Sequence, residues 1–372
     1  MSALNALRLR DFRSYAALDL TLDGRPVVLF GGNGAGKTNI LEAISYLAPG
    51  RGLRRAALEA PVRHGCENGA WAVHAVLQGG AEEPYALGTG LDAQKRTRQV
   101  RIDGQNVRAG ALAELLRLVW LTPAQDRLFA GSRSARLRFF DRLVLSLHPA
   151  HGRMAAGYER ALRERQKLLE EGRADPAWLE ACEQQMAQSG AAMMRARADT
   201  LSHLQKEIDA RSDSGFPQAG LSLEALYDDA PSPSHEACAG ALEDIFKEGR
   251  SRDAMAGRAL CGPHRADLQV TWRAKAMPAA LCSTGEQKAL LIGLTLAHAR
   301  AVEAQKNIPA PLLLLDEACA HLDPQRRAAL ASEVCAMTGQ GWLTGTDRAL
   351  FDGFGDAAQF FEVGQGTARA VD

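Results

Sequence analysis

Lys37 and Thr38 close a loop of otherwise small residues, "GGNGAGKTN" at 31–39. An ammonium beside a hydroxyl, after a run of glycines, is chemistry suited to a polyphosphate. Glycines let the backbone approach a ligand closely. The N–H groups at the start of the following helix point at an anion, and the helix dipole favours negative charge there. Lys37 is placed to reach β- and γ-phosphates, and the Thr38 hydroxyl to ligate Mg²⁺. A second set of groups ends the apolar run in "LLLLDEACAHLD". Asp316 is placed to hold Mg²⁺ opposite Thr38. Glu317 is placed to orient or deprotonate a water attacking the γ-phosphate. A third set lies in "CSTGEQKALLIGLTLAHARA", where Ser283 and Gly285 offer a hydroxyl and free N–H groups at a helix start. Taken alone, that segment reads as a capped helix without a ligand. Because one ATP already has its cradle at Lys37, a second phosphate-binding helix start makes sense if it serves the ATP of another subunit.

These groups need a scaffold, and the flanking sequence supplies it. "VVLF" before the loop reads as a buried strand, and "KTNILEAISYLA" after it as a helix with Ile40, Leu41, Ile44 and Leu47 on one face. "ALRLRDF", "AALDLTL", "AWAVHAVL", "PYALGTGL" and "QVRIDG" read as an antiparallel sheet added to this core, and 116–123 as another buried strand. From about residue 133 the pattern turns helical. "RSARLRFFDRLVLSL" is followed by a helix with Met154, Tyr158, Leu162 and Leu169 on one face, then a break at "GRADP" with Gly172 as the stop and Asp175 as the cap. A long helix over 177–211 follows, its seam formed by Leu179, Cys182, Met186, Met193, Ala196 and Leu204, with Ser189 and Thr200 as polar exceptions. Two long helices around a short break imply an antiparallel hairpin, packed on its own core rather than acting as a partner-binding coiled coil. "DDAPSPS" at 228–234 reads as a surface loop. The last third returns to α/β: the strand "LLLLD", apolar throughout as a strand covered on both faces must be, then the helix "PQRRAALASEVCAM", the strand "GWLTGTD" and the closing hairpin "AQFFEVGQGTARAV".

At 372 residues the chain is long enough for two or three domains, or one core with a large insert. Lys+Arg and Asp+Glu both number 44, so a nucleic-acid partner has to rest on local patches. The basic stretches are "KRTRQVRIDGQNVR" (95–108), "RGLRR" (51–55) and "RSARLR" (133–138). The seven cysteines show no C-x-x-C spacing, so neither a zinc site nor a disulfide framework is expected. The N-terminus carries no apolar signal segment, and no window reaches the ~18 uninterrupted apolar residues of a membrane span. The expected compartment is a reducing cytoplasm, with no membrane partner.

A glycine loop, a Ser-Thr-Gly-Glu-Gln signature, a Leu-run ending in Asp-Glu, and "HLD" follow in the order that resembles the ABC ATPases. Asn33, the Lys37-Thr38-Asn39 run and the long insert resemble their SMC-like branch. "LRLRDFRSY", "NGAGKTNILEAISYLAPGRGLR", "GPHRADL" and "STGEQKALLIGLTLA" resemble the RecF family of bacterial recombination and repair ATPases. The likeness covers most of the chain and fades between about 173 and 240.

The resemblance implies an ABC-type ATPase head of α/β class, built from both chain ends. Residues 1–125 and 300–372 form the nucleotide core, and 126–299 a mainly helical lobe ending in the signature. It implies ATP held by Gly31, Gly32, Asn33, Gly34, Ala35, Gly36, Lys37, Thr38 and Asn39, with Thr38 and Asp316 serving Mg²⁺ and Glu317 as the catalytic carboxylate. Ser283 and Gly285 would contact the γ-phosphate of a partner subunit, Asp323 would lie at the dimer seam, and Gln125 would be the Q-loop ligand. Arg13 would sit near the nucleotide. Thr346 stands where a switch histidine is usual, which fits a slow hydrolase. Glu286 and Lys288 replace the glutamine and arginine more usual in the signature. The implied function is an ATP-dependent homodimeric clamp on DNA at single-strand/double-strand junctions and gaps, with weak DNA-stimulated ATPase activity. It would act in recombinational repair and fork maintenance with RecR, RecO and RecA. Two other readings stay open. One is a transporter-type motor, disfavoured by the arginine-bearing helical insert. The other is a structural head that binds ATP without turnover, disfavoured by Glu317. The "GPHR" turn, by its bare chemistry, reads as structural.

Overall fold

The computed structural model describes residues 2–79, 83–172, 175–211, 214–224, 234–306 and 308–371. Two compact units divide the chain: Met1–Asp126 with Ala210–Pro217 and Thr284–Asp372, and Arg127–Asp209 with Gln218–Ser283.

The first unit holds two six-stranded sheets. One is antiparallel, in the order Tyr15–Thr21, Ser2–Phe12, Trp71–Gly79, Tyr85–Asp92, Thr97–Ile102 and Gln105–Asn106. The alternation of these strands puts Leu7, Leu9, Val73, Ala75, Leu77 and Leu87 into one core. The other runs Thr367–Val371, Gln359–Gly364, Val27–Phe30, Gly341–Gly345, Pro311–Leu315 and Arg117–Leu121. Its strands are parallel except for the closing hairpin. Leu312, Leu313, Leu314 and Leu315 are all buried, as a strand covered on both faces requires. The strand leading into the glycine loop and the strand ending in Asp316 are not neighbours, because Gly341–Gly345 lies between them and pairs with both.

The signature helix, Thr284–Glu303, belongs to this first unit, whereas the sequence reading set the division at 299/300. Nearly every residue from Gln287 to Val302 is buried, as befits a helix covered all round.

The second unit contains Arg133–Leu147, His151–Glu171, Pro176–Asp209 and His235–Ala256, with a small sheet of Ala219–Glu224, Asp267–Trp272 and Met277–Pro278. The expected helical hairpin is present. Ser132 caps the first helix at the Ala135 N–H, Gly172 ends the second at φ 64, and the Asp175 carboxylate accepts the Ala177 N–H at 2.9 Å. The helix 235–256 and the small sheet were not read from the sequence. The loop expected at 228–234 lies outside the described residues except for Ser234, which caps 235–256 by accepting the Ala237 N–H at 3.1 Å. The unit packs on its own core of Tyr158, Met186, Met193, Leu242 and Phe246.

Buried charge runs through that core. Arg165, fully buried, donates to Glu183 at 3.0 Å, to Asp253 at 2.7 Å and to the Phe246 carbonyl at 2.6 Å. Glu183 also accepts from Arg250. Breaking a buried ion network strands the remaining charges. Arg165→Met is therefore expected to destabilise the protein by roughly 3–5 kcal/mol in chemical denaturation followed by circular dichroism. A midpoint equal to that of the unchanged chain would show that the network does not hold these helices together.

Candidate functional site

The loop 31–36 leaves its strand with the Gly31 N–H donating to the Gly345 carbonyl at 3.3 Å. Gly31 sits at φ 146, and a Cβ there would stand 2.3 Å from the Val363 carbonyl oxygen. Glycine is thus required for the loop to pass beside the neighbouring strand. The helix Lys37–Ser45 begins at Gly36, whose φ of 110 turns the chain into it. A helix's first N–H groups have no partner one turn back. Those of Gly34, Gly36, Lys37 and Thr38 find no acceptor among the described residues. Gly32, Asn33 and Gly34 are exposed, and Ala35 packs partly against the core. Lys37 is buried; its ammonium donates to the carbonyls of Gly31 at 2.6 Å and Gly32 at 2.8 Å. Burial lowers its pKa, while Glu317 and Asp316 pull the other way.

The distant Asp316 carboxylate lies against the start of the loop helix. The Thr38 hydroxyl lies 2.9 and 3.0 Å from the two Asp316 oxygens. What the sequence reading missed is Thr344, on the strand between them. Its hydroxyl donates to Asp316 at 2.7 Å and accepts the Glu317 N–H at 2.9 Å. The Glu317 carbonyl accepts from Lys288 of the signature helix at 2.9 Å. Glu317 stands at φ 51, a left-handed conformation that costs a non-glycine residue about 1–3 kcal/mol. Thr344 and Lys288 therefore grip a strained backbone from both sides. Lys288 is itself buried, 3.8 Å from Asp126, whose pKa burial raises. A polar residue inside a fully buried strand was the signal for Thr344.

The other expected residues are placed as follows. Asn39 donates to the Ser14 hydroxyl at 3.0 Å and accepts from Arg54 at 3.2 Å. The Gln125 side chain turns back to accept the Thr122 N–H at 2.9 Å, closing a capping box in its own turn. Asp323 caps the helix Pro324–Cys335 by accepting the Arg326 N–H at 2.8 Å. Ser283 and Thr284 are exposed where the signature helix begins, with Gly285 half-buried beside them. Thr346 is exposed just past the strand that bears Thr344. The Arg13 guanidinium is spent on buried Glu42, at 2.9 and 2.6 Å, and on the Ala60 carbonyl.

The basic stretches are only partly available. Arg98 donates to the carbonyls of Tyr46, Ala48 and Gly50, Arg54 to Glu42, Arg96 to Glu59, and Arg136 in bidentate fashion to Asp267. The sequence runs therefore overstate the free positive charge.

The Thr38 hydroxyl and the Asp316 carboxylate are hard oxygen donors of the kind Mg²⁺ prefers, and they already meet. Among the described residues no group of three His, Cys, Asp or Glu side chains could hold a metal alone. The cysteines among the described residues form no disulfide, and burial pushes Cys319, beside the carboxylates in sequence, up to about 12, so it stays protonated. Among the described residues no helix is long and apolar enough to cross a membrane.

Residues 3–352 match the model of the RecF/RecN/SMC N terminal domain. The chain is 52% identical to the DNA replication and repair protein RecF of Rhizobium etli strain CIAT 652, over 98% of each chain. It is 50% identical to that of Agrobacterium fabrum strain C58, over 99% of this chain and 98% of the relative. Its fold is similar to a solved structure of the recombination mediator protein RecF-ATPrS in RecFOR pathway, with TM-score 0.86, 19% identity, and coverage of 100% of this chain and 98% of that one. It is also similar to the Smc head domain of Pyrococcus furiosus, with TM-score 0.56, 14% identity, and coverage of 100% of this chain and 96% of that one.

Replacing Thr344 by valine keeps the volume and removes the hydroxyl shared by Asp316 and Glu317. The loss of these buried bonds is expected to cost about 1–3 kcal/mol, read as a lowered melting midpoint. Thr344→Ser should recover most of it. Equal melting of the valine and serine variants would mean the hydroxyl bridges nothing.

Proposed function

This chain belongs to the RecF family of DNA replication and repair proteins, and from that premise we propose that it is an ATP-gated clamp on DNA. In this reading two copies join head to head when each binds ATP. The joined pair holds DNA at gaps and single-strand/double-strand junctions, and slow, DNA-stimulated hydrolysis releases it. RecR, with RecO and RecA, would act in the same pathway.

The observation that carries the proposal is the meeting of Thr38, Asp316, Thr344 and Glu317 beside Lys37. The free N–H groups of the loop and the Lys37 ammonium suit the β- and γ-phosphates. Thr38 and Asp316 would hold Mg²⁺, which when bound supplies charge neutralisation on the phosphate oxygens. Glu317 is half-buried, with its backbone fixed by Thr344 and Lys288. It would accept a proton from, or orient, the water that attacks the γ-phosphorus in line. Ser283 and Gly285 would close the site of the other copy, where an exposed hydroxyl at a helix start can meet a γ-phosphate. Asp323, two residues past His321 at φ 66, would face the seam. Gln125 would have to leave its capping box to act as a ligand.

Two variants test this. Glu317→Gln keeps the volume and removes the base, so an ATP-dependent dimer should accumulate in sedimentation equilibrium. A variant that stays monomeric at saturating ATP overturns the clamp. Ser283→Arg should bind ATP like the unchanged chain yet fail to dimerise. Loss of ATP binding itself would place Ser283 in its own chain's site. A Lys37→Met chain sets the baseline for phosphate release with gapped DNA.

A further inference from the structure

Within the second unit, the turn Gly262–Arg265 is anchored residue by residue. Gly262 sits at φ 124, and a Cβ there would come within 2.5 Å of the Tyr158 hydroxyl and 3.2 Å of Phe246. The Pro263 carbonyl accepts from Arg197 at 2.7 Å, and Arg197 is itself held by Asp141. His264 Nε2 lies 3.3 Å from the Ala259 carbonyl, and Nδ1 lies 2.8 Å from the Tyr158 hydroxyl. A carbonyl can only accept, so Nε2 carries the proton and Nδ1 accepts from the tyrosine. Burial lowers the imidazole's pKa to about 4, so it is neutral and adds no charge. The remaining side chain, Arg265, has no such anchor. Its Nε is buried without an acceptor, a state that calls for an explanation.

The same fastenings bring two more arginines to it. The bond from His264 to Ala259 ties down the segment that carries Arg258, itself fixed by its N–H to the Asp253 carbonyl at 3.2 Å. The bidentate pair of Arg136 with Asp267, at 2.8 and 2.6 Å, joins the helix Arg133–Leu147 to a residue two past Arg265. Arg133 lies one turn before Arg136, on the same helical face. Burial, followed by repulsion from Arg133 and Arg258, lowers the pKa of Arg265. The nearby carboxylates are committed elsewhere: Asp267 to Arg136, and Asp253 to Arg165 and the Leu260 N–H. Arg133 is also the first residue after the Ser132 cap, where the helix dipole adds positive potential.

Arg265 on its fixed turn, Arg133 at a helix start and Arg258 just past a helix end repel one another, and such a set suits an anion. We propose that Arg133, Arg258 and Arg265 form a seat for a backbone phosphate of DNA, with Arg265 as its fixed centre. This rests on the clamp reading and extends it to named residues. The planar fork of arginine matches phosphate oxygens. A seat that touches only phosphate adds affinity without reading sequence. Unlike the arginines of the basic stretches that are spent on the chain's own carbonyls and carboxylates, these three stand ready for an external partner.

The test is the salt dependence of binding by the full chain, with saturating ATP, to a fluorescein-labelled gapped duplex. Each lost phosphate contact should flatten the plot of log K against log salt by about one. Arg265→Met should show this flattening equally on unrelated sequences, with unchanged ATP affinity and melting. Arg265→Lys should recover part of the slope. Unchanged slope and affinity in the triple variant R133M/R258M/R265M, while the unchanged chain binds DNA, overturns the seat. Lost ATP affinity with an intact DNA slope gives it to nucleotide phosphates and overturns the DNA assignment. A wild-type chain that binds no DNA at any salt overturns the clamp reading together with the seat, an outcome distinct from the other two.

Discussion

One carboxylate, Asp316, ties the core of this molecule together. It receives the hydroxyl of Thr38 from the start of the loop helix and that of Thr344 from the strand between. Parallel strands cannot bring their C-terminal ends into contact by pairing alone when a third strand separates them. Side chains at those ends must bridge the gap, and ligands collect at that edge of such sheets. The threonine on the intervening strand does this twice, once to Asp316 and once to the backbone of Glu317. A glutamate in a left-handed conformation persists only where its surroundings hold it, and here a strand and a helix hold it from opposite sides.

This arrangement has a consequence for control. Lys288 sits one turn into the signature helix and holds the Glu317 carbonyl. Anything that shifts the beginning of that helix acts on the Glu317 backbone through one buried lysine. In the proposed dimer the helix start would meet the other copy's nucleotide, and association and hydrolysis would then share a mechanical link. Lysine in place of the more usual arginine keeps the charge but gives up the planar fork, and with it some geometric control.

Much of this was legible in the sequence. The glycine loop, the leucine strand ending in two carboxylates, and the closing hairpin are local patterns, and their elements lie where periodicity puts them. The antiparallel sheet was visible because its strands alternate cleanly. Thr344 was not, because its importance depends on strand order, and the neighbouring Thr346 drew the eye instead. The buried set Arg165, Glu183 and Asp253 was equally hidden, since each looks like an ordinary surface charge on a helix. The basic runs misled for a related reason. Composition counts arginines, but only the fold shows that Arg54, Arg98 and Arg136 are spent internally while Arg265 is not. The four letters "GPHR" gave no clue that three of them serve to mount the fourth.

The central claim is that each nucleotide is shared, cradled by the Lys37 loop of one copy and sealed by the Ser283 helix start of another. A photoreactive group on the γ-phosphate of ATP tests it directly in a mixture of unchanged chains and isotope-labelled Lys37→Met chains, which lack the cradle lysine. The account predicts that mass spectrometry finds the adduct on residues 283–287 of the labelled chains. Adducts confined to the chains that carry Lys37 would contradict it.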